Sequence, residues 1–599
     1  MDTTLQMNLT FRRFARRLRT PHIVLSLLLL VVVTFLVILP ILTLIRDTVT
    51  VSLVDSFRIP GLRQGDFTLY HWERVLTRHS VFLRPLLNSL LVAGGTALVG
   101  MFIGCSLAWL VTRTDIYQKR LIALLAITPY VLPSWALALP WLEFFKNTEV
   151  GRPAGFLQFY TGYIVPEWVV FGPFPIIIVM GLHYYPFVFL LVSSSLRNID
   201  SQIEEASELL GASRWRTLRL ITFPAVLPSL LAALLLAFAR TIGTYGTPAL
   251  LGAPTGFTVL PVQIRSFLRM NVAAQAHILA LILILLSIIL LFVNDRFVGQ
   301  RKSFSLIGGK GFKTRLTRLG VFRPWISAAT LLFLLVFVIA PLILLVWSSF
   351  MRSAGSYSLN NFTLHYWIGH PDPNLAAAEP GLFRNPRVLT SAANSLRLSL
   401  LGGFICAVMG MLIGYAVVKG RGQKLSSLLE RISFVPMLVP SIAFGAIYLS
   451  LFSRRLGPIP ALYGTFALLV LLVVGKQLPF STRTGISAMH QIGQELEEAA
   501  EISGASWLRR FFQIIWPLTR TGFISGLLIV FVTTMRELSL FILLISPRTQ
   551  VLTTLTFSYA EIGVQQLSNA LMSFLVIIVF AVTGLVKLYE RLTQKKQLR

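Results

Sequence analysis

Apolar stretches of about 20 residues or more, long enough to cross a hydrocarbon core as helices, recur along the whole chain, and nothing constrains its folding more. About twelve can be read: 23–45, 86–111, 121–142, 174–195, 226–250 and 273–293, then 325–347, 396–418, 428–452, 461–480, 518–545 and 568–587. With 55% apolar and only 13% charged residues in 599, the chain lacks the polar surface of a water-soluble protein. An all-α integral membrane protein is expected, because a helix satisfies its own backbone polar groups in lipid.

The first stretch follows Arg12, Arg13, Arg16, Arg17 and Arg19. Its length exceeds a signal-peptide apolar region of roughly 7–15 residues and no small-residue cleavage site follows, so it reads as an uncleaved first span. A formal net charge of +29 could suggest nucleic acid, but the basic residues sit mainly in short loops between spans. Membrane topology explains that pattern; both termini are assigned to the cytoplasm, and no nucleic-acid partner is expected. Cys105 and Cys406 lie inside apolar spans without a CxxC partner, so neither a disulfide framework nor a zinc site is expected.

The chain repeats itself. Phe67-Thr68-Leu69 with Trp72 matches Phe362-Thr363-Leu364 with Trp367, and Asn88-Ser89-Leu90 matches Asn394-Ser395-Leu396. Gly100 and Gly104 match Gly410 and Gly414, and Pro129-x3-Pro133-Ser134 matches Pro436-x3-Pro440-Ser441. Duplication accounts for this common order. Residues 1–293 form a first half of about six spans and 325–599 a second. Between them, 294–324 form a basic linker with Arg296, Arg301, Lys302, Lys310, Lys313, Arg315, Arg318 and Arg323, suited to anionic lipid headgroups. An even span count per half gives parallel repeats, with a substrate path expected at their interface.

The strongest motif occurs once in each half. Glu205-Ala206-Ser207 is followed after three residues by Gly211, after nine more by Ile221 and after two more by Pro224; Glu498-Ala499-Ala500, Gly504, Ile514 and Pro517 repeat that spacing. Helix formers precede each glycine, which permits a left-handed turn into a second short helix, and each proline suits the start of the next segment. These two loops, 201–228 and 494–521, resemble the EAA loops of ABC importer permeases. The resemblance extends over nearly the whole chain and implies the type I importer permease architecture.

It also implies function. In such permeases the loops dock two copies of a separate cytoplasmic ATPase, which binds ATP and Mg, while a periplasmic or surface-tethered solute-binding protein delivers substrate at the outer face of the bacterial plasma membrane. No catalytic residue, metal site or cofactor is expected in this chain. Around Gly308 to Thr314, Phe312 stands where a phosphate loop needs glycine before Lys313-Thr314, and neither an HExxH sequence nor a nucleophile elbow occurs.

Polar residues within spans are the candidates for a substrate path. Arg240, Tyr245, Tyr185, Arg536 and Glu537 head that group, with His183, Tyr184 and Lys476 beside them. Arg240-Thr-Ile-Gly-Thr-Tyr-Gly-Thr-Pro248, Met535-Arg-Glu-Leu-Ser539 and Gly309-Lys310-Gly311 are similar to segments of ferric-iron permeases. The embedded charges lean basic, which also suits a phosphonate or sugar phosphate; thiamine or a polyamine stays open. An ion-coupled secondary transporter would be expected to carry more intramembrane carboxylates than Glu537 alone.

Overall fold

The computed structural model describes residues 21–199, 201–299, 316–375 and 378–597. The N-terminal arginines 12 to 19, the linker residues Arg301, Lys302, Lys310, Lys313 and Arg315, and Gly309-Lys310-Gly311 lie outside the described residues. The first half runs through α1 (Pro21–Val49), α2 (Leu83–Arg113), α3 (Lys119–Val131), α4 (Ala138–Phe145), α5 (Pro173–Arg197), α6 (Ser201–Leu209), α7 (Arg214–Thr217), α8 (Phe223–Ile242), α9 (Gly246–Gly252), α10 (Leu260–Arg269) and α11 (Ala273–Gly299). The second follows the same order with α12 (Arg323–Leu334), α13 (Ala340–Ser348), α14 (Pro386–Lys419), α15 (Lys424–Leu438), α16 (Ser441–Phe452), α17 (Phe466–Met489), α18 (Gln494–Ile502), α19 (Trp507–Arg510), α20 (Trp516–Met535), α21 (Leu552–Glu561) and α22 (Gln565–Gln597).

Among the described residues, 10 helices are long and apolar enough to cross a membrane. The other two apolar stretches, 121–142 and 428–452, are broken at the same motif position. Leu132 and Val439 are extended, as a residue preceding proline prefers, and Pro133 and Pro440 follow them. α15 and α16 meet at 108°. The carbonyls freed by each break find side-chain donors: Lys476 Nζ donates to Pro436 O at 2.9 Å and to Val439 O, and Thr247 Oγ1 donates to Ser134 O at 3.0 Å. Lys476, singled out above as an intramembrane charge, thereby serves the backbone.

By contact the chain forms two compact units, and neither coincides with a linear half. One unit gathers α1 with Thr390–Val551. Here α1 packs on α15, α16 and α17, with Tyr448 donating to Leu36 O at 2.8 Å and Ser450 to Asp47 Oδ2 at 2.6 Å. α14 crosses α17 at small residues: a Cβ on Gly410 would meet the Ser481 backbone at 2.4 Å, so glycine sets the approach of the two helices.

The other unit holds Leu69–Leu389 with Leu552–Ala581. α2 packs along α5, where a Cβ on Gly104 would meet Val188 at 2.6 Å. The second half's opening helices lie here too, α12 on α3 and α13 on α4. A buried polar knot fastens α13 and the loop after it: Glu143 pairs with Lys146 at 3.2 Å and accepts from Tyr357 Oη at 2.7 Å and Asn569 Nδ2 at 3.2 Å, while Asn569 also donates to Ser348 at 2.8 Å. Burial beside that carboxylate raises the Tyr357 pKa, so the phenol stays a donor.

Candidate functional site

Each EAA-like loop is built the same way in its own unit. A nine-residue helix, α6 or α18, is followed two residues past its end by a glycine with positive φ, Gly211 at 84° and Gly504 at 80°. Open space surrounds both, so backbone conformation and not crowding selects glycine. A serine then caps the second short helix: the Ser213 hydroxyl accepts from Arg216 N at 3.3 Å, and that of Ser506 from Arg509 N at 3.4 Å. Sequence reading missed both caps, although serine follows each glycine by two positions.

Pro224 and Pro517 do not begin fresh helices, as the sequence suggested. Each lies second in a helix that continues α7 or α19 through a π-helical turn, Leu218–Thr222 or Phe511–Ile515. Proline lacks an N–H and its ring crowds the carbonyl four residues back; the wider π turn relieves both in mid-helix.

Glu205 and Glu498 are exposed, with Ala206 and Ala499 beside them, while Ser207 and Ala500 are half-buried. Leu209 and Ile502, at equivalent positions, are 90% and 89% exposed. An acidic and an apolar group thus stand open on each first helix, a combination suited to a groove on another protein. The loops differ on their inner side: Ser207 and Thr217 share a hydroxyl contact at 2.9 Å, whereas Arg510 pairs with Glu501 in the second copy.

The preceding glutamates, absent from the sequence-based candidates, turn inward. Arg113, at the last residue of α2, donates to Glu204 Oε2 at 2.9 Å, and Thr222 donates to Oε1 at 2.7 Å. In the second loop Lys419, at the end of α14, pairs with Glu497 Oε2 at 2.7 Å, and Tyr415 donates to Oε1 at 2.9 Å. Trp507 of α19 in turn donates to Tyr415 Oη at 3.0 Å. The doubled Glu in both motifs was the available signal.

The path candidates scatter. Tyr185 is fully buried in a cluster with Leu107, Ala108 and Val188, and its hydroxyl makes no hydrogen bond among the described residues. Arg240 is half-buried near the end of α8. Tyr245, Arg536 and Glu537 are not inside spanning helices, since α8 stops at Ile242 and α20 at Met535. The apolar composition that suggests a span to 545 continues through turns whose Leu538, Leu540, Phe541 and Leu544 are buried without being helical, and that which suggests a span to 250 runs past a break into the separate short helix α9. Irregular backbone of this kind is tolerated at membrane depth only inside protein or along a cavity.

Tyr245 is 2% exposed and its hydroxyl meets Arg265 of α10, which pairs with Glu561 at the end of α21. Phe557 lies 5.5 Å from Tyr245 and 5.3 Å from Trp135, ring centre to ring centre. Among the described residues there is no group of three or more His, Cys, Asp or Glu able to hold a metal ion.

Repeated apolar helices with a matching loop in each repeat define a multi-pass membrane protein. Residues 97–303 and 406–595 each match the family described as binding-protein-dependent transport system inner membrane component, and the chain belongs to it. A ferric transport system permease protein of Actinobacillus pleuropneumoniae is 26% identical over 507 residues, covering 84% of this chain and 70% of that protein. A putative ferric transport system permease of Haemophilus influenzae is 26% identical over 486 residues, 80% of this chain and 72% of its own length. The molybdenum transport system permease of the same organism is 32% identical over 210 residues, which span 35% of this chain and 89% of that protein.

Proposed function

We propose that the chain is the membrane-spanning permease subunit of an importer for ferric iron, two permease halves (1–293 and 325–599) joined by a basic linker. Two copies of a separate ATPase, which bind ATP and Mg, dock on 201–228 and 494–521. Glu205 and Glu498 pair with basic groups in the ATPase groove, and Leu209 and Ile502 fill its apolar part. Both termini and both loops face the cytoplasm, and a solute-binding protein delivers cargo outside.

The observation that carries this reading is the duplicate loop: helix, positive-φ glycine, serine-capped turn and π-helical root, with Glu and an apolar residue exposed at matching positions. One amphipathic loop would be unremarkable, but two of the same construction call for two copies of one partner. Iron is favoured because the ferric relatives match 84% and 80% of this chain whereas the molybdenum relative matches 35% of it. The basic character of Arg240 and Arg536 supports an oxyanion or phosphonate as the second reading.

Replacing Glu205 and Glu498 with Lys should leave the chain inserted in the membrane while the ATPase no longer copurifies and uptake stops. Undiminished copurification with transport-coupled hydrolysis would overturn the docking role.

A further inference from the structure

In each docking loop the two adjacent glutamates point to different neighbours. Glu205 and Glu498 are exposed, whereas Glu204 and Glu497 are tied to the far end of the second spanning helix of the same half. We propose that Glu204 and Glu497 are the transmission residues of this permease: each fastens its docking helix to the end of α2 or α14, so that displacement of the loop by the ATPase moves that helix. The proposal rests on the docking role assigned above and adds the route by which docking reaches the membrane.

Three observations carry it. The first is replication with different chemistry: one copy uses Arg113 and Thr222, the other Lys419 and Tyr415, yet both occupy the two carboxylate oxygens with a cation from the end of the second span and a hydroxyl. An incidental contact would not be expected to keep its geometry while changing its residues. The second is burial. The Arg113 and Glu204 side chains are 3% and 13% exposed, and Lys419 and Glu497 are 25% and 9% exposed, so the carboxylates and Arg113 are largely shielded from the solvent that weakens surface ion pairs, Lys419 less so.

The third is connectivity. Thr222 closes the π turn at the root of α8, so Glu204 joins the docking helix, α2 and α8 at one carboxylate. Tyr415 accepts from Trp507, so Glu497 joins α18 to α14 directly and to α19 through that phenol. In both halves α2 or α14 packs on α5 or α17 with glycine at the closest approach, so its end cannot shift alone. A carboxylate with both oxygens engaged holds direction as well as distance, which a single apolar contact does not.

The test uses the full chain in proteoliposomes with its own ATPase and loaded binding protein, comparing Glu204→Gln/Glu497→Gln with Glu205→Lys/Glu498→Lys. The Gln pair should still copurify the ATPase and keep its basal hydrolysis, while transport falls about tenfold or more and hydrolysis no longer responds to loaded binding protein. Arg113→Lys should transport like the unaltered chain, since Lys419 already does this work in the second half. Transport at the unaltered rate by the Gln pair, or loss of the ATPase from that complex, would overturn the proposal. Persistent copurification with the Lys pair would instead overturn the docking reading.

Should the Gln pair fail to insert, Thr222→Val/Tyr415→Phe removes one hydrogen bond from each carboxylate and leaves the ion pairs. A partial loss of coupling is then expected, and transport at the unaltered rate contradicts the proposal.

Discussion

Arg265 grips both carboxylate oxygens of Glu561, Nη1 to Oε1 at 2.6 Å and Nη2 to Oε2 at 3.1 Å. The two residues belong to α10 and α21, the short helices that precede the last span of each half, so the pair ties matching elements of the repeat across 296 residues of sequence. Arg269 adds a longer contact at 3.4 Å, and the rings of Tyr245 and Phe557 flank the guanidinium. With Arg265 only 11% exposed, Glu561→Gln should lower stability by about 1–3 kcal/mol. Thermal unfolding in detergent measures it, and the swap Arg265→Glu/Glu561→Arg should recover most of the loss. A swap no better than the single variant would show that the pairing itself contributes little.

Gly211 and Gly504 are expected to tolerate asparagine and to reject valine. Nothing lies within 4 Å of an added Cβ at either site, so cost arises from holding φ near +80°, which asparagine accepts and a β-branched residue resists. Copurified ATPase and transport should rank Gly, then Asn, then Val, with the Val forms losing about 1–2 kcal/mol of loop stability. Equal losses for Asn and Val would place the constraint in the partner's groove instead.

Lys476→Met should destabilise the chain although it removes a charge from an apolar span. The ammonium donates to Pro436 O and Val439 O at the broken third span, and methionine fills similar space without donating. Carbonyls left without those bonds cost about 1–3 kcal/mol. Unfolding in detergent should show the loss, and Ser441–Phe452 should become more accessible to protease. An unchanged or higher melting temperature would mean that burying the charge outweighs capping the break.

What the sequence made legible follows from which forces act locally. Hydropathy located the spanning segments because burial of apolar area in lipid is read residue by residue, and the EAA-like loops were visible because glycine, proline and helix formers act over a few positions. Breaks at Pro133 and Pro440 were visible as prolines but not as bends, since a proline can kink, cap or end a helix according to what surrounds it. Hydropathy runs past Ile242 and Met535 because the short helix α9 and the buried turn from Leu538 to Leu544 are as apolar as a continuing span. Sequence alone does not separate Glu204 and Glu497 from Glu205 and Glu498, since only tertiary placement says which of two adjacent carboxylates faces inward. The packing of α1 against α15 and α16, more than 370 residues away, has no local signature at all.

In the proposed function, separate ATPases docked on the two loops drive ferric iron through this chain. Its most direct test is accumulation of radiolabelled ferric iron in proteoliposomes holding the chain, its ATPase and its iron-loaded binding protein, with and without ATP and with Glu205→Lys/Glu498→Lys in place. Accumulation should require ATP and the binding protein and be abolished by the Lys pair. Accumulation that continues without ATP, or that the Lys pair leaves intact, would contradict it.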